Sequence, residues 1–331
     1  MDAKDFMPDE ATIARIRADL DRYEGDRALA AAKVRLRMPA YVGGVLVIVA
    51  VLAYAFNSFA DPNEQWFSSP HVFLYFGGIV ALFFAYSAAM GPATKLQQSF
   101  REHMLPIVFG FIKDVRYSHG TTPDSFHHLP REAVGTFNRQ TFDDTISGTY
   151  NGFTFELYEA TLKHKQGKSD QLMFKGIVMA FHMLRPFPGK LVATRRADVV
   201  TSFFRGIFGN TGLPELKSGV ETLDKKYEFR TDNPEVAQPL VSGHLAQALQ
   251  WLGETWPEQP SRVGLQGNDG YLLIPQNKNY FELPSISTKL DYNAHIAPMI
   301  ADMAALLATA SLVRRVGADE EPAAAQPDPA A

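Results

Sequence analysis

No Asp, Glu, Lys or Arg occurs from Met38 to Ala60, a run of 23 residues. Leu46, Val47, Ile48, Val49, Val51 and Leu52 fill its centre. At 1.5 Å per residue, a helix of this length reaches about 34 Å, enough for a hydrocarbon core of about 30 Å. A second run without those four residue types extends from Gln65 to Thr94, with its apolar part at about His71 to Met90. Between them lies Asp61-Pro62-Asn63-Glu64, a helix-breaking polar turn. The pattern predicts a transmembrane hairpin with spans at about 40–60 and 71–90. Two buried helices of a soluble core would not require two uncharged runs of this length. A cleaved signal peptide fits poorly, because the run starts after 37 residues and a second follows at once.

The basic residues set an expected orientation. Lys33, Arg35 and Arg37 precede the first run, and Lys95 and Arg101 follow the second. The connection carries Asp61 and Glu64 and no basic residue. Basic residues near spans stay on the cytoplasmic side, so both termini are expected there. Tyr41, Phe59, Trp66 and Phe67 fall near the span ends, where aromatic rings prefer to sit. Gly43-Gly44 and Gly77-Gly78 offer close helix approach, or are ordinary small-residue usage. His71 is the one ionisable side chain in the spans, so a proton or ion path through them is not expected.

The 331 residues carry no cysteine, which excludes disulfide scaffolds, thiolate zinc sites, iron–sulfur clusters and cysteine nucleophiles. Net charge is −4, and residues 95–317 hold 24 basic against 22 acidic residues. A nucleic-acid partner is therefore not expected.

Residues 9–37 read as an amphipathic helix, with Ile13, Ile16, Leu20 and Tyr23 at spacings of three and four. That stripe is placed to pack on the cytoplasmic domain or on a second copy of the chain. Lys95 to Ile112 is again helical in pattern, with Leu96, Phe100, Met104, Val108 and Phe111 on one side. The chain either continues the span or leaves it at Gly91-Pro92, and Pro106 is expected to kink or interrupt the helix. A short helix near Pro123 to Leu129 is expected to be capped by Thr122.

The period then changes. Asn151-Gly152 joins Ser147–Tyr150 to Phe153–Leu157, a strong hairpin signal because both central residues need positive φ. Leu172 to Leu184, apolar on both faces, reads as a buried central strand, and Leu191 to Thr194 as another. Phe203 to Gly212 reads as a packed connection or a mobile binding loop. Tyr227–Arg230 is strand-like, and Pro234 to Trp251 holds one or two helices. Val263–Leu265, Asn268-Asp269-Gly270 and Tyr271–Ile274 suggest a second hairpin. A helix from about Thr288 to Arg315 closes the fold. Hairpins dominate and regular strand–helix alternation is missing, so the expected class is α+β with a mostly antiparallel sheet and flanking helices, not a doubly wound nucleotide fold.

The expected organisation is a cytoplasmic amphipathic helix over 1–37, the hairpin over 38–94 and a cytoplasmic α+β domain over 95–317. An Ala/Pro/acidic tail over 318–331 is expected to be disordered.

Several segments carry a family resemblance. They are Ser99-Phe100-Arg101-Glu102 with Pro106, Ile146 to Gly152, Phe174-Lys175-Gly176, and Leu223 to Leu252 with Tyr227-Glu228-Phe229 and Asp232-Asn233-Pro234-Glu235-Val236-Ala237. In these the chain resembles the bacterial membrane proteins grouped as DUF3137, over about residues 95–290. Gln238 stands where that family usually has Arg. The resemblance implies a bacterial inner-membrane protein without an assigned activity, and a LemA-like membrane protein as partner.

Common catalytic patterns are absent: no P-loop, no Gly-x-Gly-x-x-Gly, no His-Glu-x-x-His and no Gly-x-Ser-x-Gly. His119, Asp124, His127 and His128 are the candidate metal ligands, but adjacent histidines on a helix diverge by about 100°. They read better as a solvated polar segment. Asp143-Asp144 reads as a turn or strand start. Glu156 and Glu159 would point to opposite faces of a strand. His182, within the apolar run, reads as a core histidine or, less readily, a buried general base. Lys163, His164, Lys165 and Lys168 with Arg195-Arg196 could touch anionic lipid, or be a solvated hairpin tip.

No cofactor or metal is expected. The functional expectation is a membrane-anchored binding or scaffold module, accessory to a membrane protein complex, with the bilayer and a membrane protein or a second copy as partners. The alternative is an enzyme with an unrecognised site acting on a membrane-proximal substrate.

Overall fold

A computed structural model describes residues 3–59, 66, 68–167, 169–196, 212–257, 260–281 and 284–315. The turn Asp61–Glu64, Lys168, nearly all of the Phe203–Gly212 segment and the tail lie outside the described residues. The chain divides into two compact units. One comprises residues 13–105 and 283–295, the other residues 1–12, 106–282 and 296–331.

The first unit is helical. Helix α1 runs unbroken from Glu10 to Phe59, and α2 from Ser69 to Ser99. Pro39 and Pro92 lie inside them, so the chain passes Gly91-Pro92 without leaving the helix. A π-helical turn, Phe100–Met104, follows, then α3, Leu105–Val108. Pro106 has no N–H to give the carbonyl four residues back, and the wider π turn sits where that bond is missing. Ile16, Leu20 and Tyr23 are buried as their spacing predicts, and Tyr23 meets Phe100 edge-on at 5.0 Å. Glu24 and Arg27 form a two-bond ion pair at 2.6 and 2.7 Å. Glu24 also accepts the Leu290 N–H at 3.1 Å, and Arg27 donates to the Ile286 carbonyl, so the 284–290 segment is fastened to α1. Arg17 lies over the Tyr292 ring.

Among the described residues, three helical segments are long and apolar enough to cross a membrane: Glu10–Phe59, Ser69–Val108 and Tyr292–Val313. They differ in what covers them. In the most apolar window of the first two, 6% and 11% of residues are buried; in the third the share is 72%. Val47, Ile48, Phe73, Phe76 and Ile79 are all exposed. Where α1 and α2 touch, Gly78 lies under Val49, whose Cγ2 would come within 2.9 Å of a Cβ there. Gly43, Gly44 and Gly77 have open space instead. His71 is fully buried, with Ser68 Oγ at 2.7 Å and the Ala53 carbonyl at 3.0 Å on its two ring nitrogens.

The second unit is α+β. Its strands are β1 (Lys113–His119), β2 (Arg139–Tyr150), β3 (Phe153–Gln166), β4 (Ser169–Arg195), β5 (Glu215–Leu216), β6 (Tyr227–Thr231) and β7 (Arg262–Pro275). All pairings are antiparallel, in the order β1-β2-β3-β4-β6-β5, with β7 also on β4. The helices are α4 (Arg131–Val134), α5 (Glu221–Lys226), α6 (Pro234–Ser242), α7 (His244–Thr255) and α8 (Ala297–Val313). Helix α8 is apolar and packs against α7 and the sheet, with Met303, Leu306 and Leu307 fully buried. Its hydrophobicity is that of a core element.

Asn151 and Gly152 take φ of 43° and 79° and join β2 to β3, as the Asn-Gly signal predicts. The two strands expected at 172–184 and 191–194 are one 27-residue strand, β4, whose register against β7 shifts between His182 and Phe187 and again between Phe187 and Lys190. The second expected hairpin is also a continuous strand. Asn268-Asp269-Gly270 lies inside β7, where Asp269 pairs with His182 and Gly267 alone takes φ of 57°. The β4–β7 register shifts there, so the turn-forming residues serve an irregularity within one strand pair.

Other local expectations resolve similarly. Residues 124–128 form a 3-10 turn whose N-cap is Pro123, with no side-chain cap, so Thr122 does not cap it. The closing helix begins at Ala297, after a π turn over Tyr292–Ile296, later than Thr288. Asn233 caps α6 by accepting the Val236 N–H, with Pro234 at the first helical position, which explains the Asn-Pro-Glu-Val sequence. Gly176 needs glycine: φ is 155°, and a Cβ would lie 2.2 Å from the Ile274 carbonyl oxygen.

Candidate functional site

Register builds the site. Phe142 pairs with Ala160 and Thr145 with Tyr158, so Asp143 and Asp144 of β2 together oppose the single residue Glu159 of β3. This is a β-bulge, which re-aims a side chain that strict alternation would send to the other face. On the other side of β2, Asp144 pairs directly with His119 at the end of β1. Two carboxylates and one imidazole thus meet at one point of the sheet, with Glu159 across the bulge.

The imidazole Nδ1 of His119 lies 2.9 Å from Asp144 Oδ1 and 3.1 Å from Asp143 Oδ1. Tyr117 Oη donates to Asp144 Oδ1 at 2.5 Å, and Asn279 Nδ2 donates to Asp143 Oδ2 at 2.6 Å. The Asp144 side chain is fully buried, Asp143 is 39% exposed and His119 51% exposed. The cluster therefore has a fixed floor and an open rim. The ligating atoms of His119, Asp143 and Asp144 lie within 4.8 Å of one another, close enough to share a metal ion.

Glu159 is buried. Its Oε1 accepts the backbone N–H groups of Tyr280 and Phe281. Burial pushes its pKa from 4.5 up to about 7; the Tyr280 N–H opposes this, and the Asp144 and Asp143 charges add to it. His119, Asp143, Glu159 and Asn279 line a cleft of about 550 Å³ that Lys175, Gln276 and Lys278 also line. Among the described residues, neither lysine forms an ion pair with the three carboxylates.

The structure separates the residues considered together as metal ligands. His119 joins Asp143 and Asp144. Asp124 and His127 are exposed on the 3-10 turn, as a solvated segment would be, while His128 reaches Asp269 at 3.2 Å. Asp143-Asp144 is neither a turn nor a strand start but a bulge in mid-strand. Glu156 and Glu159 do diverge: Glu156 accepts from the Ser125 N–H and Oγ at 2.9 and 2.6 Å.

His182 is not a core residue. Its side chain is 68% exposed and pairs with Asp269 at 2.9 Å, beside the register shift of β4 and outside the cleft. His182 is therefore not the buried general base that its place in an apolar run allowed. The basic groups do not converge either, since Lys163 pairs with Leu172 near the start of β4 and Arg195 with Tyr227 at its end. Arg196 is occupied by Glu215 and Glu228 at 3.0 and 3.5 Å.

Sequence reading missed Tyr117, Glu159's partners and Asn279. The available signal was two adjacent acids inside an otherwise β-rich run, Thr141-Phe142-Asp143-Asp144-Thr145-Ile146, where alternation breaks. Gln238 donates to the Lys217 carbonyl at 2.9 Å and ties α6 to the β5 segment.

No curated protein matches the chain. Among solved structures, the crystal structure of the mycobacterial trehalose monomycolate transport factor A, TtfA, matches with 12% identity and a TM-score of 0.31, covering 63% of this chain and 93% of that one. The cluster residues His119, Asp143, Asp144 and Glu159 precede the stretch matched by a family model; Lys175, Lys278 and Asn279 fall within it. Residues 172–314 match the family described as a protein of unknown function, DUF3137, and over that stretch the resemblance read from the sequence holds.

Proposed function

We propose that the chain is a membrane-anchored binding module, accessory to a membrane protein complex in a bacterial inner membrane. Two spans, at about 40–60 and 71–90, hold the α+β unit at the cytoplasmic face, with both termini on that side. The observation that carries this reading is the contrast in coverage. The apolar faces of α1 and α2 lie open, while an equally apolar helix, α8, is packed inside a complete α+β unit. Exposed apolar surface on this scale is stable in lipid and not in water. The cleft beside His119 is the unit's ligand site in this reading, and the family resemblance points to a LemA-like protein as the partner.

The test is isolation of the full-length protein from its native membrane in mild detergent, with identification of what copurifies. A stoichiometric membrane protein, lost when α1 and α2 are replaced by unrelated spans, is the expected result. Recovery in the soluble fraction without detergent would overturn the reading.

A further inference from the structure

We propose that His119, Asp143 and Asp144 bind a divalent transition-metal cation, with Tyr117 and Asn279 orienting the two carboxylates. The inference deepens the reading of the cleft as the binding site of this module. It rests first on spacing. Metal–ligand bonds of about 2.1 Å place neighbouring ligand atoms of an octahedral shell about 3.0 Å apart. The Nδ1–Oδ1 separations of 2.9 and 3.1 Å match such edges. One imidazole nitrogen with two carboxylate oxygens suits Mn²⁺, Fe²⁺ or Zn²⁺ better than Ca²⁺, which takes oxygen ligands. Coordination needs the Nδ1 lone pair, so any proton that Nδ1 shares with the carboxylates leaves to solvent when the cation enters.

A second observation is independent of that spacing. Glu159 is 8% exposed and lines the cleft, and only its Oε1 is engaged. Its Oε2 accepts no hydrogen bond among the described residues. A largely buried carboxylate set beside two aspartates is costly to ionise unless positive charge arrives. A cation on His119, Asp143 and Asp144 supplies that charge from across the bulge.

The outer groups fit as well. Tyr117 Oη and Asn279 Nδ2 donate to the carboxylates and fix their orientation, the arrangement metal sites use to hold their ligands. The half-exposed His119 leaves the remaining coordination positions open to water or a ligand.

The experiment is titration of the full-length protein in detergent with Mn²⁺, following free Mn²⁺ by electron paramagnetic resonance, with Zn²⁺ as competitor. One Mn²⁺ per chain is expected, displaced by Zn²⁺. His119→Gln and Asp144→Asn should each weaken binding at least about tenfold, and Asn279→Ala by about 10–100-fold, the usual cost of losing an outer partner. His128→Ala, outside the cluster, should leave binding unchanged. Absence of stoichiometric binding in the wild type, or equal binding in His119→Gln and wild type, overturns the inference. Membrane fractionation of the same samples separates the two readings: a protein in the membrane that binds no Mn²⁺ defeats the cation alone, and a soluble protein that binds it defeats the anchor alone.

Discussion

Glu159 of β3 stands opposite two residues of β2, Asp143 and Asp144, where an unbroken register would give it one. The extra residue brings adjacent aspartates onto the same imidazole, and it sets their charges beside a buried glutamate. A single irregularity in one strand pair therefore gathers these charged side chains on one part of the sheet. Its consequences are open to measurement.

Asp144 and Asp143 should differ in what they hold. Asp144→Ala removes the buried acceptor of Tyr117 and His119, and should cost about 1–3 kcal/mol. Asp143, partly exposed, should cost about 1 kcal/mol or less when replaced by Ala. Thermal melting of the full-length protein in detergent reads the order; equal losses would contradict it.

Glu159 should make stability pH-dependent. Its folded pKa is raised to about 7 from an ordinary 4.5, so the folded state keeps the proton to higher pH than the unfolded state. The stabilising contribution is complete below about pH 4.5 and is lost as pH climbs through 7. Glu159→Gln does not titrate and still accepts the Tyr280 N–H. Its melting temperature relative to wild type should rise between pH 5 and pH 8. A difference that stays constant with pH would show that Glu159 titrates normally.

The two glycines of α2 should respond oppositely to bulk. A side chain at Gly78 meets Val49, whereas Gly77 faces open space. Gly78→Leu should lower the melting temperature in detergent, and Gly77→Leu should leave it nearly unchanged. The reverse order would mean that α1 and α2 meet on another face.

Arg27 should control the 284–290 segment. Arg27→Ala deletes its bond to the Ile286 carbonyl and the pair that fixes Glu24 on the Leu290 N–H. Hydrogen exchange over 286–290 should accelerate by about tenfold or more, corresponding to a local loss of about 1.4 kcal/mol. Unchanged exchange there would mean that the segment is held by Tyr292 and its apolar contacts.

What could be read from the sequence divides by the range of the interaction that decides it. The helical stripe at Ile16, Leu20 and Tyr23 and the hairpin at Asn151-Gly152 depend on neighbours within a few residues, and both are found as expected. Asn268-Asp269-Gly270 carries the same local signal and makes no hairpin, because β4 pairs with β7 on both sides of it. His182 sits in an apolar run and is exposed, because the register breaks at that residue. The cluster depends on three strands at once. His119 could be noticed, and Asp143-Asp144 could be noticed, but only the pairing of β1, β2 and β3 brings them together.

Membrane anchoring with the α+β unit on the cytoplasmic side is directly testable, because the chain has no cysteine. Single cysteines at Asn63→Cys, Ala18→Cys and Gln171→Cys would be exposed to a membrane-impermeant maleimide in intact, outer-membrane-permeabilised cells. Labelling is expected at position 63 alone, with positions 18 and 171 labelled only after lysis. Labelling at position 171 before lysis would contradict it.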